Sequence, residues 1–401
     1  MMDNAVFCFR MKPVFRMLPV VLATLILAGC ATLPRTPFTK GQEDAASVGI
    51  TNARAWGDEN PRSAMARARQ VAARTRGENV TILALSGGGA DGSFSAGALV
   101  GLSETGRRPV FDVVTGVSAG ALIAPFAFLG EAYDPVLIKF STEGSLERLS
   151  SPNNPFEILR SGLLRREPLQ ELVASLVDPE LLSRVAQEHD RGRKLYVLTT
   201  NLDAQRPVIW DMGAIAASGA PRALRLFRDV LVASASIPGA FSPVLIDVNA
   251  SGHNFSEMHV DGSVTSNVYI APESVLLSKA GALGRLKGRF YILVNSKIEP
   301  DFEVVENSTF SVARRSLATV LKSNLTHVLS LTYQFARRNN FDFNLAYIMD
   351  DFPTSSGIDF SVSNTRRVFG YGRERARSGA LWTHTLPIIS RERSAMTLQP
   401  K

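Results

Sequence analysis

Short apolar runs alternate along the chain with segments in which apolar residues recur at helical spacing. The run at residues 80–85 precedes a helical pattern at 93–104, and the run at 110–115 precedes another at 119–129. Nearly continuous apolar runs of this length are typical of strands buried on both faces of a parallel sheet. The alternation predicts an α/β fold with a mostly parallel central sheet and helices on both faces.

The same pattern continues towards the C-terminus. Five further strands are predicted at residues 195–200, 208–210, 244–248, 258–260 and 290–294, and two further helices at 168–177 and 311–335. We expect residues 80–295 to form the core of one domain and residues 296–401 to complete it with helices and a strand.

The first 29 residues have the order of a secretory signal. Three basic residues precede an apolar run at 18–27, which is too short to cross a bilayer as a stable helix and ends in small residues. The segment Leu27-Ala28-Gly29-Cys30 resembles the lipobox of bacterial lipoproteins, in which the cysteine is acylated. Because Ala31 rather than Asp follows Cys30, the resemblance points to the outer membrane, facing the periplasm.

Residues 30–45, which contain Pro34, Pro37 and Gly41 and show little apolar periodicity, are expected to be a tether, and residues 46–79 a basic helical segment. Five arginines of that segment fall on one side of a helix, which predicts either a solvated face or contact with anionic lipid: Arg62, Arg67, Arg69, Arg74 and Arg76. The formal net charge of +7 is too small to choose a partner, and nucleic acid is not expected for an exported lipoprotein. Removal of the signal leaves only Cys30, which excludes an intramolecular disulfide.

A serine between two glycines follows the second predicted strand. The segment Gly116-Val117-Ser118-Ala119-Gly120 stands between that strand and the next helix and fits the nucleophile elbow G-x-S-x-G. There the serine occupies a strained turn that only small neighbours allow, and the helix dipole favours negative charge at its oxygen. Ser118 is therefore the candidate nucleophile.

A glycine-rich loop follows the first strand. Residues 87–92 read G-G-G-A-D-G, so several backbone N–H groups converge as an anion cradle, and Gly92 opens the helix. The loop also fits the dinucleotide fingerprint G-x-G-x-x-G, whose ribose-binding acid should end the second strand. Asp112 has the right count but stands at the beginning of that strand, which argues against this alternative. The amides would instead serve Ser118, one βα unit further along.

A nucleophilic serine needs a base, and Asp261 in His259-Val260-Asp261-Gly262-Ser263 is the best-placed acid. It ends a short apolar strand and is followed by Gly262, which allows close backbone approach. The chain also has five histidines that could act as the base: His189, His253, His259, His327 and His384.

Together these motifs resemble the patatin-like phospholipases. That family combines a glycine-rich oxyanion loop, a G-x-S-x-G serine and an aspartate followed by glycine, in the order found here. The resemblance extends to residues 200–203, 233–238 and Asn267. It implies a three-layer α/β sandwich and a dyad without histidine, in which Asp261 accepts the proton of Ser118. It also implies the oxyanion donors, which are the amides of Gly87, Gly88 and Gly89.

Two positions depart from the family pattern. Asp91 stands where the family usually carries Arg or Lys, which weakens the case for an anionic phosphate head group. Ser263 replaces the usual third Gly or Ala of the aspartate motif, a change that we expect to be tolerated.

The sequence thus predicts a membrane-anchored serine hydrolase that cleaves lipid esters, as a phospholipase A or lysophospholipase would, without metal or cofactor. One alternative is an α/β-hydrolase with a Ser-Asp-His triad, in which His327 or His384 follows the acid in chain order. The other is a catalytically silent lipoprotein that binds lipid or a partner protein.

Overall fold

The computed structural model describes residues 35–74, 79–150, 167–281, 286–353, 357 and 359–387. Its strands are β1 (Arg54–Trp56), β2 (Asn79–Leu85), β3 (Val113–Val117), β4 (Lys194–Asn201), β5 (Arg206–Asp211), β6 (Val244–Ala250), β7 (His253–Asp261), β8 (Lys287–Val294) and β9 (Asp342–Tyr347). They form one sheet in the order β1-β5-β4-β3-β2-β8-β9. In addition, β7 pairs with the carboxyl end of β4, and β6 pairs with β7.

The centre of the sheet is parallel and one side is not. Strands β4, β3, β2, β8 and β9 run parallel, whereas β1, β5, β6 and β7 pair antiparallel. The expectation of a mostly parallel sheet is therefore correct for the centre only. Strand β5 reverses direction because just residues 202–205 join it to β4, and a parallel return needs a crossover of roughly a dozen residues.

Helices cover both faces of this sheet. They are α1 (Lys40–Asp44), α2 (Pro61–Arg74), α3 (Ser93–Glu104), α4 (Ala119–Leu129), α5 (Asp134–Thr142), α6 (Glu167–Leu176), α7 (Pro179–Asp190), α8 (Met212–Ala217), α9 (Ala223–Ser234), α10 (Glu273–Leu276), α11 (Thr309–Asn339) and α12 (Val362–Ser378). Side chains of β2 alternate between two cores: Leu83 and Leu85 enter the one with α3 and α4, and Ala84 enters the one with α11. The protein is thus an α/β sandwich of three layers.

The elements around the glycine loop and the serine lie close to the bounds predicted from the sequence. Helices α3 and α4 have the predicted bounds, and β2 begins one residue early. Strand β3, however, begins at Val113, three residues later than predicted. The reason is that the Asp112 carboxylate accepts the Thr81 N–H at 2.7 Å, which replaces a strand pairing there, while Val110 is 76% exposed.

The N-terminal region differs from the expectation of a tether. Phe38 stacks on Phe255 with ring centroids 4.3 Å apart, and Thr39 caps α1 through a capping box with Gln42. Residues 35–45 are therefore packed on the domain, because Phe38 supplies an apolar side chain and Thr39 a helix start that the Pro and Gly content had obscured. Residues 1–34, with the predicted signal and Cys30, lie outside the described residues, as does Arg76.

The remaining terminal segments also join the sheet. Strand β1, which the sequence did not predict, pairs with β5 ahead of the basic helix α2. At the other end, β9 pairs with β8 and α12 packs on α3. Through α3 and β8, these C-terminal elements support both ends of the glycine-rich loop.

Candidate active site

Ser118 lies in a strained turn at the carboxyl edge of the sheet. It joins β3 to α4 with φ 55° and ψ −125°, a backbone conformation that is uncommon for residues other than glycine. The turn is tight: a Cβ on Gly116 would lie 2.6 Å from the Gly120 carbonyl oxygen, and one on Gly120 would collide with the Leu85 carbonyl. The two glycines of the elbow are thus required by close approach, as the motif predicts.

Asp261 meets this serine directly. Ser118 Oγ donates a hydrogen bond of 2.6 Å to Asp261 Oδ2, and Ser263 N donates one of 2.8 Å to Asp261 Oδ1. Ser118 and Asp261 are 3% and 1% exposed. Gly262 follows Asp261 where a side chain would collide with the Leu198 carbonyl. The structure thus brings the predicted nucleophile and the predicted acid together in a buried contact.

Burial makes Asp261 a stronger base than an ordinary aspartate. It raises the pKa of Asp261 to about 6, although the hydrogen bonds from Ser118 and Ser263 act in the opposite direction. At neutral pH the carboxylate is still mostly ionised, so it can accept a proton. A pKa near the working pH is the condition under which a general base is most effective.

His259 lies only two residues from Asp261 but is engaged elsewhere. Its Nδ1 lies 2.9 Å from Thr199 Oγ1, and its Nε2 lies 3.1 Å from Glu257 Oε2. Glu257 in turn pairs with Arg54. Burial lowers the pKa of His259, which keeps the ring neutral inside this network. Both ring nitrogens are therefore occupied in support of the fold.

The other histidines do not reach the serine either. His384 is exposed, and its Nδ1 lies 3.1 Å from the Phe343 carbonyl, at the amino end of β9 and hence at the far edge of the sheet. His327 is exposed on α11. All five histidines lie in the described part of the chain, and none has a hydrogen bond to Ser118 or Asp261.

The glycine loop offers two oxyanion donors rather than three. The Gly87 N–H donates to the Asn267 carbonyl at 2.9 Å, so it is not free to bind an oxyanion. The N–H groups of Gly88 and Gly89 have no hydrogen-bond partner among the described residues. Gly89 has φ +57°, and a side chain there would collide with the Gly357 carbonyl. The prediction is thus wrong for Gly87, because its N–H already donates to a backbone carbonyl of a neighbouring loop.

Asn295 holds this loop in place, a role that the sequence analysis missed. It is fully buried; its backbone N–H donates to Ser86 Oγ at 2.8 Å and its side-chain amide to the Ser86 carbonyl at 2.7 Å. Its Oδ1 accepts from the Ser95 hydroxyl at 2.6 Å, which ties the loop to α3. The available signal was a polar residue directly after the apolar strand at 290–294.

A second polar residue supports the serine. The Ser118 N–H donates to Ser234 Oγ at 3.0 Å, and Ser234 Oγ donates to the Leu198 carbonyl at 2.7 Å. Ser234 ends α9 within the segment 233–238 to which the family resemblance extended. It fixes the strained elbow by satisfying its buried amide.

Asp91 points away from solvent beneath the glycine loop. It is 5% exposed, and in the described part of the chain its Oδ1 has no hydrogen-bond partner. Burial raises the pKa of Asp91 to about 7; the charge of Arg367 lowers it and that of Asp359 raises it. Gly92 follows, packed so that a Cβ would lie 2.8 Å from that of Ala119.

The dinucleotide-binding alternative finds no support in this geometry. Asp112, the acid considered for a dinucleotide site, lies at the amino end of β3, and its carboxylate accepts a hydrogen bond from the Thr81 N–H. Within the described ranges, no group of three or more His, Cys, Asp or Glu side chains is arranged to hold a metal ion. The same residues include no helix that is both long and apolar enough to cross a membrane.

Comparison with known proteins gives one family and several distant structures, among them the two described below. A family model described as patatin-like phospholipase matches residues 83–272, from β2 through Ser118 and Asp261 to the residue before α10. The crystal structure of VipD from Legionella pneumophila is 13% identical over 76% of this chain and 67% of VipD, with a TM-score of 0.34. That of the type III effector protein ExoU is 14% identical over 75% of this chain and 53% of ExoU, with a TM-score of 0.28. No curated protein matches the chain.

Proposed function

Through residues 83–272 this chain belongs to the patatin-like phospholipase family, which makes it a lipid acyl hydrolase, and from that premise we propose that it cleaves carboxyl esters of membrane lipids through a Ser118–Asp261 dyad. The observation that carries the proposal is the buried 2.6 Å hydrogen bond between Ser118 Oγ and Asp261 Oδ2. A serine in a strained elbow with a carboxylate base and unpaired amides nearby has the parts that acyl transfer requires.

In the first half-reaction Ser118 Oγ attacks the ester carbonyl carbon while Asp261 accepts its proton. The carbonyl π electrons move to oxygen, and the N–H groups of Gly88 and Gly89 stabilise this oxyanion, each by roughly 3 kcal/mol. Collapse breaks the bond to the alcohol, which leaves with the proton from Asp261. The fatty acyl group remains as an ester on Ser118.

In the second half-reaction water replaces the alcohol. Asp261 takes a proton from the water as its oxygen attacks the acyl carbon, and the same two amides stabilise the second oxyanion. Collapse returns the proton to Ser118 Oγ and releases the fatty acid. Asp261 thus acts first as base and then as acid in each half-reaction, so no histidine is needed.

We also propose that the enzyme is a lipoprotein anchored through acylated Cys30 to the outer membrane and faces the periplasm. This rests on the segment Leu27-Ala28-Gly29-Cys30 and the apolar run before it. Two or more acyl chains give stable anchoring, whereas one gives marginal binding. An enzyme anchored in this way meets its lipid substrate in the membrane that holds it.

Labelling and turnover test the proposed activity together. The purified protein should react with a fluorophosphonate and should hydrolyse members of a panel of phospholipids, lysophospholipids and neutral esters. Ser118→Ala should abolish both, while Ser175→Ala, which removes an exposed hydroxyl on α6, should change neither. An intact protein that shows neither labelling nor turnover would instead be the silent lipid-binding lipoprotein.

A further inference from the structure

Exposed apolar side chains are concentrated before and within the first half of α11. Of the eight large apolar side chains exposed in the described part of the chain, four lie between residues 302 and 320. They are Phe302 (93% exposed), Val304 (82%), Val312 (48%) and Val320 (60%), and we refer to them as the apolar edge surface. Single exposed apolar residues are ordinary, but such a concentration in one segment indicates contact with something apolar.

This surface projects beyond the catalytic edge of the sheet. The Asn324 side chain donates to the Thr265 carbonyl at 2.7 Å, which places Asn324 level with the turn that follows Asp261. Thr309 starts the helix fifteen residues earlier, so the first half of α11 extends about 20 Å past that level at 1.5 Å per residue. The second half runs down to β9 at the opposite edge.

Ion pairs hold the segment with Phe302 outward. Asp301 accepts from Lys322 Nζ at 2.6 Å, and Glu303 pairs with Arg314 and Arg315. The two acidic neighbours of Phe302 are thus turned towards α11, which leaves the ring in solvent. Because these charges are neutralised in pairs, the segment can approach an apolar phase at lower cost than free charges would allow.

The N-terminus of the described chain leaves from the same edge. Arg35 bonds to Asp203 at 2.6 Å and to the Ser256 carbonyl, and Asp203 follows β4 at its carboxyl end. Arg35 lies five positions after Cys30, a reach of at most about 18 Å. An acyl group on Cys30 would therefore hold a bilayer close to the catalytic edge.

We propose that the apolar edge surface inserts into the lipid bilayer and, with the Cys30 anchor, turns the Ser118 site towards the membrane. In the sheet order β4-β3-β2-β8, the strand that carries Ser118 lies between β4, beside which Arg35 lies, and β8, which leads to Phe302. The two contacts thus flank the nucleophile. The inference rests on the proposed function, since a lipid substrate is what makes this orientation productive.

Fluorescence tests insertion without relying on activity. In Phe302→Trp, the new indole should be quenched by brominated lipid in vesicles of phosphatidylethanolamine and phosphatidylglycerol. The matched control is Val110→Trp, at a site 76% exposed but at the opposite edge of the sheet, and it should not be quenched. Equal responses of the two variants would overturn the proposal, even if the protein proved to be an active hydrolase.

Turnover then tests whether insertion serves the Ser118 site. In the double variant Phe302→Ser/Val304→Ser, the ratio of vesicle phospholipid to soluble short-chain ester turnover should fall about tenfold. Val110→Ser should leave the ratio unchanged, and a retained melting temperature would show that the double variant folds. An unchanged ratio in the folded double variant would overturn the proposal. If wild-type protein hydrolysed neither vesicle phospholipid nor soluble ester, the proposed function would be contradicted instead. The quenching result would still test membrane insertion.

Discussion

Ser118 Oγ and Asp261 Oδ2 are 2.6 Å apart although 143 residues separate them in sequence. Two strand pairings bring them together. Val117 of β3 pairs with Leu198 of β4, and Thr199 of β4 pairs with Asp261 of β7. The dyad is therefore held by backbone pairing on both sides, which fixes a short contact without a third catalytic side chain.

The pH dependence of acylation should follow Asp261 alone. Because burial raises the pKa of Asp261 to about 6 and the base must be ionised, kcat/KM should fall tenfold per pH unit below about 6 and be level above about 7. The measurement is hydrolysis of a soluble ester from about pH 5 to pH 9, repeated with Asp91→Asn to exclude the buried carboxyl of the glycine loop, whose pKa is about 7. A rate that stays level down to about pH 5 would contradict this assignment.

Asp91 should make the protein less stable as the pH rises. Its folded pKa of about 7 lies above the ordinary value of 3.8, so the folded state disfavours the ionised form. The penalty is absent below about pH 4, grows between the two pKa values and is complete above about pH 7, with a ceiling of ~4 kcal/mol.

Melting temperatures of wild type and Asp91→Asn test this account. The amide keeps the shape but cannot ionise, although its buried N–H₂ offsets part of the gain. The melting temperature of the variant should therefore rise relative to that of wild type as the pH is raised from about 5 to about 8. Parallel curves for the two proteins would show that Asp91 is not a buried, unpaired carboxylate.

Cys30→Ser should release the protein from the membrane fraction while hydrolysis of a soluble short-chain ester continues. The packing of Phe38 on Phe255 does not depend on the lipid, and the apolar edge surface by itself should give only reversible binding. Fractionation followed by a high-salt wash checks the result. Tight sedimentation of the variant would mean that Cys30 is not the anchor.

The sequence could predict the parts of the site that depend on local pattern. Ser118, Gly116 and Gly120 were found because an elbow needs small residues at a fixed spacing between a strand and a helix. Asp261 was found because an acid followed by glycine ended an apolar strand. Each of these motifs is encoded within a few neighbouring residues.

Features that depend on pairing between distant segments could not be predicted. The loss of Gly87 as an oxyanion donor depends on the carbonyl of Asn267, which is 180 residues away in the chain. The packing of residues 35–45 depends on Phe255 in β7. The role of Asn295 depends on β8 lying beside β2. Periodicity carries no information on such contacts, and the antiparallel side of the sheet was missed for the same reason.

The central claim is that Asp261, and no histidine, is the base for Ser118. The most direct test is the single-turnover acylation rate of Asp261→Asn beside those of His327→Ala and His384→Ala, with melting temperatures to show that each variant folds. We expect Asp261→Asn to lower the rate by about three powers of ten or more, because the amide cannot accept the serine proton, and the two histidine variants to retain it. A folded His327→Ala or His384→Ala variant that loses acylation would contradict the dyad, whether or not Asp261→Asn also loses it.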